Sequence, residues 1–134
     1  RDAISLPLIA NGDIETIEDV ELALKQSGAD GVMVGRGCQG KPWFINQVME
    51  YARTGKIPPA PTDISPIVLN HYDAMIDYYG EGKGAAIARK HIAWYVTGME
   101  GANEFRAQVN KVKDVEVVKE LLGEFFNTRH CEER

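Results

Sequence analysis

Basic residues are the minority among the charges, cysteine is scarce, and apolar stretches are short. Fifteen Lys and Arg against 20 Asp and Glu leave a net charge of −5 over 134 residues, an average that argues against nucleic acid as a partner unless a local patch is hidden in it. The two cysteines, Cys38 and Cys131, lie far apart in the chain. They build no disulfide framework and match no metal-ligand spacing, which argues against thiol redox chemistry and against a metal site. No apolar run approaches the ~20 residues that span a bilayer, and no charged segment with an apolar core opens the chain. The expected place is the cytoplasm, with no membrane partner. Internal repeats, low-complexity tracts and heptads are also missing. The size is that of one ordinary domain, or of a piece of one.

The charge is not spread evenly. Residues 81–113 are the only net basic stretch, with six basic side chains (Lys83, Arg89, Lys90, Arg106, Lys111, Lys113) against three acidic ones. His91, Trp94 and Tyr95 stand among them. The average does hide a patch.

Proline divides the chain. Pro58, Pro59 and Pro61 follow Gly55 within seven positions and can continue neither a helix nor a central strand. We therefore expect a first domain over 1–54, a linker over 55–64 and a second domain over 65–134.

In the first segment, residues 6–10 form a short apolar run closed by Asn11, Gly12 and Asp13, the pattern of a buried strand ending in a turn. A helix follows, with Thr16 or Asp13 as its cap and Glu15, Glu18 and Asp19 near its positive end. Val20, Ala23 and Leu24 make its inward stripe, and Gly28 suits a left-handed stop. Residues 31–34 then read as a fully buried strand of a parallel sheet, running into Gly35, Arg36 and Gly37. The next helix is expected from about Pro42 onward.

Strand, helix and strand in about 30 residues make a βαβ unit. In such units the C-terminal strand ends face the ligand, so the two glycine turns should be neighbours. Bare backbone at Gly12, Gly35 and Gly37 lets an anion approach, and Arg36 supplies a planar cation suited to phosphate. The competing reading is that the glycines only make tight turns and that Arg36 pairs a local Asp.

The second segment reads as four helices. The first starts at Ser65 and Pro66, with Leu69, Tyr72, Ile76 and Tyr79 inward and Gly80 and Gly82 stopping it. The second covers about 84–97. At 100° per residue Ala88, Ile92, Tyr95, Val96 and Met99 group as its core stripe, while Lys83, Ile87, Lys90 and Trp94 share the far side. A third covers about 102–112, with Arg106, Asn110 and Lys113 on one stripe. A fourth covers about 114–126, and the tail 127–134 is expected to fray. An aromatic beside cations, away from the core, suits single-stranded or looped RNA, where phosphates meet Lys or Arg and bases stack on rings. Against this, Arg89 and Lys90 can be solvated charges and Trp94 a packing residue. His91 has no partner histidine or cysteine at helical spacing, so helix packing or a phosphate contact suits it better than a metal.

Two groups of residues carry a family resemblance. Ile9 to Ile14 (I-A-N-G-D-I), Gly28 to Gly37 (G-A-D-G-V-M-V-G-R-G) and Pro42-Trp43 resemble the last two βα units of the tRNA-dihydrouridine synthases. Ala88 to Tyr95 (A-R-K-H-I-A-W-Y) resembles the motif of their C-terminal helical domain. The resemblance covers nearly the whole chain and implies an α/β fold: the last two βα units of a TIM barrel followed by an all-α helical bundle. It implies an FMN-dependent oxidoreductase in which NADPH reduces the flavin, the flavin delivers hydride to carbon 6 of a tRNA uracil, and a cysteine protonates carbon 5.

By that resemblance Asn11, Gly12, Asp13, Gly35 and Arg36 hold the phosphate and ribityl end of FMN. Lys83, Arg89, Lys90, His91, Trp94, Arg106 and Lys113 contact tRNA. The catalytic cysteine is expected upstream, since neither Cys38 nor Cys131 shares the family's context of Asn, Gly and Cys-Pro, so no catalytic residue is assigned here and the chain reads as a C-terminal fragment. A complete barrel needs about 250 residues. Two alternatives remain: another FMN barrel acting on a small molecule, or a non-catalytic helical RNA-binding module.

Overall fold

The computed structural model describes residues 3–130, so Cys131, Glu132 and Glu133 lie outside the described residues. It is a mostly helical α/β chain with one small parallel sheet, in the order β1 (Ile9–Asn11), α1 (Ile17–Ser27), β2 (Gly31–Met33), a 3₁₀ turn (Arg36–Cys38), α2 (Phe44–Thr54), α3 (Ser65–Tyr79), α4 (Glu81–Tyr95), α5 (Ala102–Val109) and α6 (Val115–His130). The chain forms two compact units, Arg1–Ala60 and Pro61–Arg134. No helix among the described residues is long and apolar enough to cross a membrane.

In the first unit, β1 and β2 pair in parallel with Ile9 opposite Gly31, Ala10 opposite Val32 and Asn11 opposite Met33. The strand sits three residues later than the apolar run suggested. Asp30 explains why the pairing is approached so late: its carboxylate accepts from the Leu8 amide at 2.8 Å and its own amide donates to the Leu8 carbonyl. Pro7, just before, has no amide to give.

The expectation of a fully buried second strand fails. Successive side chains alternate faces. Val32 and Val34 pack on the core of Ile14, Ile17, Val20, Phe44 and Val48, whereas Ile9 and Met33, on the other face, are about half exposed. Two strands with helices on one side bury one face only.

Thr16, not Asp13, caps α1. Its hydroxyl accepts from the Asp19 amide while the Asp19 carboxylate accepts from the Thr16 amide, a reciprocal capping box. Gly28 closes the helix in the left-handed region, φ 61°. Helix α2 begins at Phe44, two residues past Pro42.

In the second unit α3 packs along α4 and against α6, and α5 contacts both α4 and α6. Four of the five residues of the α4 stripe, Ala88, Ile92, Tyr95 and Val96, are buried and Ala85 joins them, while Met99, past the end of the helix, is only half-buried. Of the expected α3 stripe only Tyr72 is fully buried, and Leu69 and Ile76 are half-buried. Val68, Tyr72 and Met75 are buried while Tyr79 is exposed, a rotation of about one residue. Gly84 is the reason α4 comes so near. A Cβ on it would lie 2.7 Å from the Met75 carbonyl oxygen and 3.0 Å from the Ile76 Cα, so the bare glycine sets the approach, and Met75 turns inward with it.

Other boundaries shift as well. Gly80 stops α3, but Gly82 lies inside the first turn of α4. Helix α5 ends at Val109, so Lys113 falls in the connection before α6 and not on the α5 stripe. Helix α6 continues through His130, so residues 127–130 of the expected frayed tail are helical, and 131–134 lie outside the described residues. Asp114 caps it by accepting from the Glu116 and Val117 amides.

Candidate functional site

The parallel pairing of β1 and β2 brings the two glycine turns to the same end of the sheet. They line one cavity of about 190 Å³ formed by Asn11, Gly12, Asp13, Ile14 and Glu15 on one side and Gly35, Arg36 and Gly37 on the other. All five residues expected at the flavin phosphate are therefore side by side.

The first turn is held open by its backbone. Gly12 has φ 136°, a value that L side chains rarely adopt, and Asp13 follows at φ 44°. The turn is then fixed at its far side: the Asp19 carboxylate accepts from the amides of both Glu15 and Thr16, and these bonds hold the carboxyl below its ordinary pKa. Lys41 adds a tie that the sequence did not signal. Its ammonium donates to the Glu15 carbonyl at 2.8 Å and lies 5.0 Å from the Phe44 ring centroid, so the loop is tied to the segment after the second turn.

The second turn is pressed against the first. A Cβ at Gly37 would fall a full ångström inside the closest separation real Cβ atoms show to the Ile14 carbonyl oxygen, and 3.1 Å from the Glu15 Cα. Gly37 is thus bare because backbone meets backbone there, and it lines the cavity as well. Gly12 and Gly35 differ, since a Cβ on either would meet nothing within 4 Å. The Cys38 thiol donates to the Gly35 carbonyl at 3.0 Å, a local tie within the turn.

Arg36 does approach a local acid, as the competing reading supposed. Its guanidinium is 3.5 Å from the Asp13 carboxylate, yet the two side chains are 83% and 91% exposed. Such a pair contributes about 0–1 kcal/mol. An anion that offered Arg36 two oxygens would displace Asp13 at little cost.

In the second unit a larger cavity, about 330 Å³, opens between α4 and α5, with Arg89, Lys90, Arg106 and Asn110 among its lining residues. Three of the seven expected RNA contacts meet here. Arg89 is half-buried and donates to the Val112 carbonyl at 3.1 Å, so it is a wall of the cavity as much as a charge. Arg106 donates within its own helix to the Ala102 carbonyl and the Asn103 side chain. Lys90 lies 4.9 Å from the Trp94 centroid, and the Trp94 ring meets His91 edge-on at 5.0 Å.

His91 turns toward α3, where its ring meets His71 at 4.8 Å, and the His71 Nδ1 is 3.0 Å from the Tyr95 hydroxyl. Burial pushes both imidazoles below the usual histidine range. Lys83 and Lys113 line neither cavity; Lys83 sits over the Tyr79 ring at 5.4 Å. Among the described residues no group of three His, Cys, Asp or Glu is placed to hold a metal.

Residues 1–130 match the family described as Dihydrouridine synthase (Dus). A probable tRNA-dihydrouridine synthase of Rickettsia prowazekii (strain Madrid E) is 51% identical over 128 residues, which are 94% of this chain and 39% of that protein. The tRNA-dihydrouridine synthases B of Pseudomonas syringae pv. tomato and Pseudomonas aeruginosa are 40% and 39% identical, over 95% and 96% of this chain and 38% and 40% of their own lengths. The chain thus spans about two fifths of the relatives it matches.

Proposed function

The chain belongs to the dihydrouridine synthase family, and from that premise we propose that it works as the C-terminal part of a longer synthase that reduces a uridine of tRNA to 5,6-dihydrouridine. In this reading the two strands are the last two of a TIM barrel, whose loops seven and eight commonly take a phosphate. Helices α3 to α6 are then a tRNA-binding bundle. The observation that carries the reading is the meeting of both glycine turns in one cavity beside an exposed guanidinium.

The residues present fit the phosphate end of FMN. Gly12 and Gly35 leave space on their Cβ sides, Arg36 brings a fork-shaped cation, and the Asn11 side chain can donate from its amide. Asp13, released from Arg36, suits a hydroxyl of the ribityl chain better than the phosphate, because a carboxylate accepts and does not donate. FMN, reduced by NADPH, would supply the hydride. This chain's own share is to anchor the flavin and to hold the RNA so that one base can be presented. Asp19 and Lys41 position the anchoring loop without touching the ligand.

The test uses the full-length synthase: its visible spectrum, followed by NADPH-dependent dihydrouridine formation on unmodified tRNA. A yellow protein that converts uridines is expected. A yellow protein inactive on tRNA would favour a flavin barrel acting on a small molecule, and a colourless one that FMN cannot reconstitute would favour a non-catalytic RNA-binding module.

A further inference from the structure

Helices α4 and α5 face each other across small side chains. Ala86 and Ala93, seven residues apart, lie on one face of α4, and Val109 at the end of α5 and Asn110, the residue that follows it, stand opposite. Small residues at i and i+7 keep that face from filling the gap. The result is the ≈ 330 Å³ cavity, with an apolar floor and a cationic rim of Arg89, Lys90 and Arg106.

This combination is specific in three ways. The volume is at the low end for ligand pockets, which run from about 300 to 1,000 Å³. It accommodates a single planar group and excludes the width of an RNA duplex. The rim is built for an anion: Arg89 is fixed by its bond to the Val112 carbonyl, and Arg106 spends two of its five N–H donors on Ala102 and Asn103. Lastly, the lysine on the rim rests over Trp94. If Lys90 moves to a phosphate, that indole face is uncovered for a flanking base.

We infer that the α4–α5 cleft is a subsite for one unstacked nucleotide of the bound RNA, its base against Ala86, Ala93 and Val109, its phosphate on Arg106 and Lys90. Asn110, at the end of α5, is the residue placed to hydrogen-bond the base edge. The inference rests on the reading that tRNA is the partner and adds to it that the helical unit takes an extruded or single-stranded nucleotide, where backbone contacts alone would grip a duplex by its shape.

The test is equilibrium binding of unmodified tRNA to the full-length synthase over a range of salt. Ala86→Phe fills the cleft without changing charge. It should weaken binding by about tenfold, the scale of losing one base contact, and leave the salt slope unchanged. Lys90→Glu and Arg106→Glu should weaken binding and each reduce the slope by about one. Asn110→Ala, at an exposed helix end, should weaken binding if Ala86→Phe fails to fold. A measurement free of variants is crosslinking with 4-thiouridine-substituted tRNA, which should label residues of the cleft between 86 and 110. Binding within twofold of the unaltered protein for both Ala86→Phe and Asn110→Ala, or crosslinks confined to other regions, would overturn the subsite and leave tRNA as partner intact. No binding of tRNA by the unaltered protein would overturn both.

Discussion

Replacing Gly37 with alanine isolates the contact on which the first cavity depends. The new Cβ would overlap the Ile14 carbonyl oxygen by about an ångström, with the Ile14 carbonyl carbon at 3.0 Å and the Glu15 Cα at 3.1 Å. All three obstacles are backbone, so no side chain can swing aside. The Arg36–Cys38 turn and the Asn11–Glu15 loop must separate by about 1 Å. Overpacking of this kind costs about 1–3 kcal/mol. The displacement also moves Arg36 and Gly35 away from Asn11 and Gly12, and because Arg36 is largely exposed, weakening its charge-assisted hydrogen bond to a phosphate lowers affinity by up to about tenfold. The assay is FMN titration of the full-length protein by flavin fluorescence, beside a thermal melt. A variant with unchanged FMN affinity and unchanged melting would refute the argument that backbone contact at Gly37 sets the spacing of the two turns.

Gly84→Ala should destabilise the helical unit by about 1–3 kcal/mol, since its Cβ would press on the Met75 carbonyl. Gly123→Ala in α6, where nothing lies within 4 Å, should instead stabilise by about 0.5–1 kcal/mol. Chemical denaturation of the two variants checks the opposite signs, and a Gly84→Ala variant as stable as the unaltered protein would contradict the packing role of Gly84. Burial lowers the pKa values of His71 and His91, so the unfolded chain binds protons more readily near its ordinary value of about 6.5. Their contribution is complete above that pH and is lost as pH falls through the lower folded values. A melting midpoint that declines from pH 7 to pH 5, with a shallower decline in His71→Gln, is the expected result; a midpoint that rises on acidification would contradict it.

Short-range signals in the sequence held where one helix decides the outcome alone. Gly28 stops α1, Pro66 sits in the first turn of α3, and the apolar period of α4 names its buried residues. The neighbouring of the two glycine turns was also legible, because parallel pairing leaves no other arrangement for successive βα units. What failed depends on partners distant in sequence. In α3 the run Ile67, Val68, Leu69 is apolar all round, so periodicity cannot fix which side faces inward, and the answer lies in the bare Gly84 of the next helix. The close backbone contact of Gly37 with Ile14, 23 positions away, has no local signal in the sequence. Arg89 looked like a free cation, yet a carbonyl at residue 112 uses it. Lys41 carries no motif, and only the folded loop reveals its bond to Glu15.

The division of labour within the first unit follows from these contacts. Asp19, Lys41 and Gly37 set the spacing of the turns, while Gly12, Gly35 and Arg36 border the space that the spacing creates. The two sets should separate by experiment, since the positioning residues affect stability and binding together and Arg36, largely exposed, should affect binding alone.

Whether the proposed flavin is held by its phosphate in this cavity is decided by comparing FMN with riboflavin, which lacks the phosphate, on Arg36→Ala in the full-length synthase. Arg36 is 83% exposed, so its contribution is discounted for solvent to about 1.4 kcal/mol, or tenfold. FMN affinity is expected to fall by about that factor while riboflavin affinity stays as it was. Equal losses for both flavins, or no loss for FMN, would contradict it.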